Sequence, residues 1–181
     1  MLARFFAAAV CAGGVLAAIG SSAATANPFS NFFSSFGNGR TVVSYATNYK
    51  PGTIVISTQQ RRLYLVLNNS QALSYGIGVG PDGFTWSGVT RITAKREWPD
   101  WTPPDQMLRR RPDLPRHMAG GLDNPLGARA MYLGSSLYRI HGSNEPNTIG
   151  TASSSGCFRL TNDDVVDLYG RVSVGATVIV Q

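Results

Sequence analysis

His141 and Cys157, sixteen residues apart, are the two side chains in this sequence best typed to do chemistry together. The thiolate, not the thiol, is the nucleophile, and a free cysteine ionises only near about pH 8.5. An imidazole within hydrogen-bond reach activates it, either as base or as the cationic half of an ion pair. The segment between them, G-S-N-E-P-N-T-I-G-T-A-S-S-S-G, is full of turn formers and can fold back so that both side chains face one pocket. Gly156 permits a tight turn before the thiol, with its N–H and that of Cys157 expected to point at a developing oxyanion. Arg159, two residues on, shares a face with Cys157 if the segment is extended. Three plainer readings compete with this acyl-transfer site, the first a merely structural His141, although it ends its strand where active-site groups often sit. An inert buried thiol fits poorly with the polar S-S-S-G-C context. Zinc held by Cys157, His141 and His117 lacks any C-x-x-C or H-x-x-x-H spacing.

The compartment sharpens the case for the thiol. The chain has 181 residues and two cysteines, and the second, Cys11, lies in an apolar N-terminal run. Arg4, then Phe5 to Gly20, then Ala24-Thr25-Ala26 read as the n-region, h-region and cleavage site of a signal peptide spanning 1–26. The run is shorter than the roughly 20 apolar residues of a membrane-spanning helix. The mature protein is therefore expected in the periplasm or cell wall without a membrane span, and with Cys157 unpaired. About 155 residues remain, enough for one domain with a core. A formal net charge of +6 is modest and spread out, apart from Arg109-Arg110-Arg111 with Arg116 nearby. Without aromatic–basic interleaving, an exported chain of this kind does not read as a nucleic-acid binder. An anionic polymer outside the cytoplasm suits it better.

The elements that must position the pair are mainly β. Residues 27–50 show no period and read as a linker or loosely ordered arm. Short β-branched and aromatic runs follow at 53–57, 62–67, 72–80 and 90–95. Pro99, Pro103, Pro104, Pro112 and Pro115 exclude regular sheet from most of 97–124, where 105–110 suits a helical turn. A loop of this length inside a domain is usually functional, and it is expected to cover the Cys157 pocket. Strands return at 128–133 and 137–141. One short helix follows the cysteine, with a capping-type start at Thr161 and a stop at Gly170, before a last strand at 176–180.

Papain-like hydrolases place Cys before His, so the His-then-Cys order here excludes them. Sortases space the same residues much farther apart. The text Y-R-I-H-G-S-N-E-P-N-T-I-G (138–150) joined to S-S-G-C-F-R-L-T-N-D-D-V-V-D-L-Y (154–169) resembles the L,D-transpeptidase catalytic domain family over about 51–181. The resemblance implies a β-sandwich or open barrel with one short helix after the catalytic cysteine. It implies Cys157 as nucleophile, His141 as base, and the Gly142 carbonyl orienting the imidazole. It places the family's arginine at Arg159, where it would orient a stem carboxylate or brace the loop. It further implies a thioester on Cys157, drawn from peptidoglycan stem tetrapeptides and resolved by a neighbouring stem amine into a 3–3 cross-link. No cofactor or metal is required, and carbapenem-type β-lactams become candidate covalent inhibitors. Many members read H-G-C at the nucleophile, whereas this chain has Ser155-Gly156-Cys157, a departure in the lining of the oxyanion or acceptor pocket. His117 matches no family position and reads as a loop residue. Water or a protein amine as acceptor, giving a carboxypeptidase, cross-link hydrolase or envelope-protein ligase, stays open at this point. So does a catalytically silent peptidoglycan-binding module.

Overall fold

The computed structural model describes residues 39–181. The expected signal peptide (1–26) and the first part of the expected arm (27–38) lie outside the described residues. Nine strands form one sheet: β1 (Thr41–Ser44), β2 (Ile54–Ser57), β3 (Arg62–Val66), β4 (Gln71–Gly76), β5 (Gly88–Glu97), β6 (Arg129–Leu133), β7 (Arg139–His141), β8 (Phe158–Arg159) and β9 (Thr177–Val180). Their order across the sheet is β1-β4-β3-β2-β9-β5-β6-β7-β8.

The hydrophobic runs explain this order. All four residues of β2 are buried, and the strand sits between β3 and β9. Such a two-sided apolar strand belongs in a sheet interior. The ten residues of β5 serve two partners. Gly88–Arg91 pair with β9, Ile92–Glu97 pair with β6, and the register shifts between Ile92 and Ala94. A bulge of this kind bends a strand and deepens its twist, so the sheet curls there. The continuation of β4 then meets β8: Gly78 and Arg159 exchange N–H···O bonds of 2.9 and 3.0 Å. The sheet nearly closes on itself as an open barrel. Ile54, Leu63, Tyr75, Ile77, Met131, Ile140, Phe158 and Leu168 pack its interior with no more than 2% exposure.

Helix α1 (Asp105–Arg110) lies in the proline-rich segment, where a helical turn was expected. Helix α2 (Asn162–Arg171) follows the cysteine. Thr161 caps α2, its hydroxyl accepting the Asp164 N–H at 3.2 Å, and Asp163 and Asp164 suit the positive N-terminal end. Lys95 from β5 donates to the Tyr169 and Val172 carbonyls at 2.6 and 2.7 Å, satisfying the other end. The buried Tyr75 hydroxyl donates to Asp167 at 2.8 Å, tying the helix to β4. Both ends of α2 are thus fixed to the sheet.

Residues 41–44 of the expected arm form a regular edge strand instead, antiparallel to β4. Three of its four residues are exposed. The strand follows from backbone pairing rather than from burial, which is why no hydrophobic period announces it. Arg40 beside it reaches Asp164 at 3.6 Å and Asp167 at 3.8 Å.

Candidate active site

Strand β7 ends at His141, and β8 begins one residue after Cys157. The two strands run parallel, with Ile140 opposite Phe158 and His141 opposite Arg159. Because side chains alternate along a strand, Ile140 and Phe158 turn into the core. His141, Cys157 and Arg159 turn together into a cavity of about 710 Å3, within the size range of ligand pockets. The structure therefore brings the three sequence-derived side chains onto one wall.

His141 is buried, at 4% exposure. Its Nδ1 lies 2.6 Å from the Gly142 carbonyl. A carbonyl oxygen only accepts, so Nδ1 carries the hydrogen and Nε2 keeps its lone pair. Burial pulls the imidazole pKa down to about 3, and the charges of Arg159 and Arg139 add to the shift, against the Gly142 bond. The ring is neutral at neutral pH and ready to accept a proton. Gly142 also makes room for its neighbour: a Cβ there would come within 2.3 Å of Asn162 Oδ1, which holds the Ala128 N–H at 2.9 Å.

Cys157 is partly exposed to the cavity, its Sγ 3.8 Å from the Leu137 carbonyl. Burial raises its pKa, while the Arg139 backbone N–H, the Arg139 guanidinium and Arg159 act in the opposite direction. A neutral thiol and a neutral imidazole lining the same cavity are the resting state that follows.

The loop before the thiol differs in one respect from the sequence expectation. The Gly156 N–H does not point at the cavity; it donates to Ser154 Oγ at 3.2 Å. Ser154 in turn donates to the Cys157 carbonyl at 2.6 Å. This buried serine closes the turn, and only the Cys157 N–H of the expected donor pair has no partner among the described residues. Gly156 itself sits at φ +100, with Tyr138 Cε1 2.6 Å from where a Cβ would stand. Trp86 stacks on Tyr138 at 5.0 Å and donates from Nε1 to the Gly156 carbonyl at 3.3 Å. Ser155, exposed, lines the cavity mouth. Arg159 lies 3.7 Å from Glu145 Oε2, so its charge is already partly matched.

The proline-rich segment supplies the opposite wall through Trp101, Pro104, Met107, Arg110 and Leu114. It covers the Cys157 pocket, as its length and prolines suggest. Arg110 also lies 5.1 Å over the Phe84 ring, joining the lid to the 80–87 loop. His117 is outside the cavity, with Nε2 3.5 Å from an exposed Asp100 carboxylate. Ser154, Trp86, Tyr138 and Arg139 are the functional neighbours that sequence reasoning passed over. Ser154 was visible only as one of three serines, and the others depend on pairings across the sheet. Among the described residues no cluster of three or more His, Cys, Asp or Glu side chains is arranged to hold a metal.

Comparison with known proteins agrees with this architecture. Residues 51–180 match the L,D-transpeptidase catalytic domain family YkuD. The probable L,D-transpeptidase ErfK/SrfK of Escherichia coli is 39% identical over 134 residues, covering 69% of this chain and 42% of that protein. The chain thus spans less than half the length of that curated relative. A Brucella melitensis structure described as a probable carnitine operon oxidoreductase is 46% identical, with a TM-score of 0.54, over 76% of this chain and 90% of the other. L,D-transpeptidase 3 of Mycobacterium tuberculosis, solved with a faropenem-derived adduct, shares the fold at 17% identity and a TM-score of 0.56, over 71% and 59% of the two chains. On the match over residues 51–180, the chain belongs to the YkuD family of L,D-transpeptidase catalytic domains.

Proposed function

We propose that the protein is an exported cysteine L,D-transpeptidase that cross-links peptidoglycan stem peptides. The observation that carries this reading is the polarity of His141: Nδ1–H bound to the Gly142 carbonyl and a lone pair on Nε2, on the same cavity wall as the Cys157 thiol. As the sulfur attacks the carbonyl carbon of the third stem residue, Nε2 takes the thiol proton. The oxyanion forms against the Cys157 N–H. Collapse breaks the amide bond, and the imidazolium returns the proton to the departing D-alanine amine. The thioester then waits for a neighbouring stem amine, which loses a proton to Nε2 as it attacks. The C–S bond breaks, the thiolate takes that proton back from the imidazolium, and a 3–3 link is left. With a neutral imidazole at rest, proton transfer accompanies the attack rather than preceding it. A strained β-lactam carbonyl would acylate the same thiol by the same steps, and lacks a leaving amine that diffuses away.

The proposal is tested by incubating the protein with purified disaccharide-tetrapeptides and, separately, with a carbapenem. Mass spectrometry should find the adduct on the peptide bearing Cys157, and none in Cys157→Ala. An adduct on a serine, or full activity in that variant, would sink it. Product masses identify the acceptor: a cross-linked dimer for a stem amine, a disaccharide-tripeptide for water. Export is tested by N-terminal sequencing from intact cells, where Asn27 is expected at the N-terminus and a retained Met1 would refute cleavage after Ala26.

A further inference from the structure

The register of β7 and β8 brings one more cation to the nucleophile. With Ile140 opposite Phe158 and His141 opposite Arg159, one step back along both strands sets Arg139 opposite Cys157. Arg139 shares the cavity wall with them. Its guanidinium is held in place: Nη1 donates to the Leu137 carbonyl at 3.0 Å, the same oxygen that lies 3.8 Å from Sγ, and the group lies 5.0 Å over the Tyr132 ring. Its Nε is buried without a hydrogen-bond partner. Buried donors are almost always paired, so an orphan of this kind calls for an explanation. Nor does a carboxylate neutralise Arg139 among the described residues. Arg159, by contrast, has Glu145 at 3.7 Å, and Arg111 has Asp113 at 2.7 Å.

We propose that Arg139 is the counter-cation of the Cys157 sulfur, stabilising the thiolate as His141 removes its proton and again when the thioester's C–S bond breaks and the electron pair returns to sulfur. The proposal rests on Cys157 being the nucleophile. The cavity geometry gives Arg139 this role rather than Arg159, whose charge is shared with Glu145. The pKa directions agree, since Arg139 lowers that of the thiol through its backbone N–H, its charge and a hydrogen bond from its side chain, against the effect of burial. The same charge opposes protonation of His141. Arg139 thus favours the sulfur anion without favouring a standing thiolate–imidazolium pair.

The test is the pH dependence of Cys157 alkylation by iodoacetamide, read on the Cys157 peptide by mass spectrometry in the full chain. Iodoacetamide is neutral and needs no donor peptide. A failure of the transpeptidase reading therefore shows in the tetrapeptide assay, and a failure of this proposal shows here. The other charged groups around the thiol, His141 and Arg159 on the strands, Glu145 beyond β7, and Arg110 and Arg111 on the lid, are unchanged in every variant. Removing an opposite charge at close range shifts a pKa by about one unit or more. Arg139→Gln should raise the alkylation midpoint by that amount. At fixed pH below the midpoint the rate should fall roughly threefold per unit, because the more basic thiolate is also more nucleophilic. Arg139→Met, which keeps an apolar stem over Tyr132, should behave alike and serves if the Gln variant fails to fold. Arg139→Lys should stay near the wild-type midpoint. An unchanged midpoint in Arg139→Gln or Arg139→Met, including one accompanied by a raised KM for donor, would overturn the proposal. An equal rise in Arg139→Lys would also overturn it, since packing and not charge would then be responsible.

Discussion

The floor of the cavity and its lid are held together by different means. On the floor, Arg139, His141, Cys157 and Arg159 stand on or beside two paired strands whose other face, Ile140 and Phe158, is sealed in the core. Backbone ladders set these positions, and few of them can move without opening the sheet. The lid, 97–124, is held mostly by bonds within itself, Trp101 and Met118 exchanging two 2.8 Å bonds and the Asn124 amide gathering both arms. Its ties outward are few: the Trp98 N–H to the Ala128 carbonyl at 2.8 Å, Asn144 to the Asp123 carbonyl at 2.8 Å, and Arg110 over Phe84. None of the residues of α1 within it is buried. Regions with few buried contacts open locally at lower cost than the global unfolding free energy. The lesson is a division of labour. Bond-making needs fixed geometry at one sulfur and one ring nitrogen, whereas admitting the proposed stem-peptide substrate needs a wall that yields.

The largest effects belong on the floor. Cys157→Ala should abolish acyl transfer, and His141→Ala should lower the rate by roughly two to four orders of magnitude, the usual worth of general acid–base assistance. The pH profile gives a sharper check. Because His141 is held neutral down to about pH 3, the acidic fall in kcat/KM should lie well below the 6.5 of an ordinary histidine. A limb near 6.5 would contradict the buried neutral base. Stability carries the same signature. Below about pH 6.5 an unfolded histidine binds a proton that His141 refuses, so folding stability is lost as pH falls toward 3. Urea denaturation of His141→Gln should show a shallower loss over that window than the wild type.

Next in size is the turn before the thiol, where two adjacent serines should behave very differently. Ser154→Ala leaves the Gly156 N–H and the Cys157 carbonyl without their present partners, at a cost of about 1–3 kcal/mol for a buried unsatisfied group. If half of that is expressed in the transition state, the rate falls roughly two- to tenfold. Ser155→Ala removes an exposed hydroxyl and should retain most activity. Steady-state kinetics of the two variants side by side decide the matter. Equal losses would mean that Ser155 takes part in the chemistry.

That contrast between neighbours also marks where the sequence stops being legible. Apart from the two-residue β8, the strands from β2 onward announce themselves as β-branched, aliphatic or aromatic runs, and α2 as a capped helix, because each buries a face that its own residues declare. The edge strand β1 declares itself weakly: T-V-V-S is β-branched but short and mostly exposed, and it gains its order from the backbone of Gln71–Ser74, a pairing invisible to composition. Closure through Gly78 and Arg159 is invisible for the same reason. At the site, His141, Cys157, Gly142 and Arg159 were readable as one motif. Ser154 was hidden among identical neighbours, and the expected Gly156 donor is engaged by it. Trp86 owes its role to Tyr138, more than fifty residues away along the chain, and Arg139 owes its role to a parallel register. Residue type reveals which atoms are reactive, and only the register reveals what stands beside them.

The smallest expected effect tests whether the lid is separable from the floor. Asn124 is buried, and its amide nitrogen lies 3.1, 3.2 and 3.0 Å from the carbonyls of Pro99, Met118 and Ala119. Asn124→Ala removes this clasp from both arms of the loop at once. The loosened segment should be nicked faster by protease within 97–124, and KM for tetrapeptide should rise severalfold while kcat changes little. If lid and floor are independent, the pH midpoint of Cys157 alkylation stays at the wild-type value, because Arg139, His141 and Arg159 stay fixed on the floor and only Arg110 and Arg111 move with the lid. A shift of that midpoint comparable to the Arg139 variants would mean that the lid sets the position of the thiol. The division of labour would then fail, and catalysis and substrate entry would have to be treated as one coupled motion.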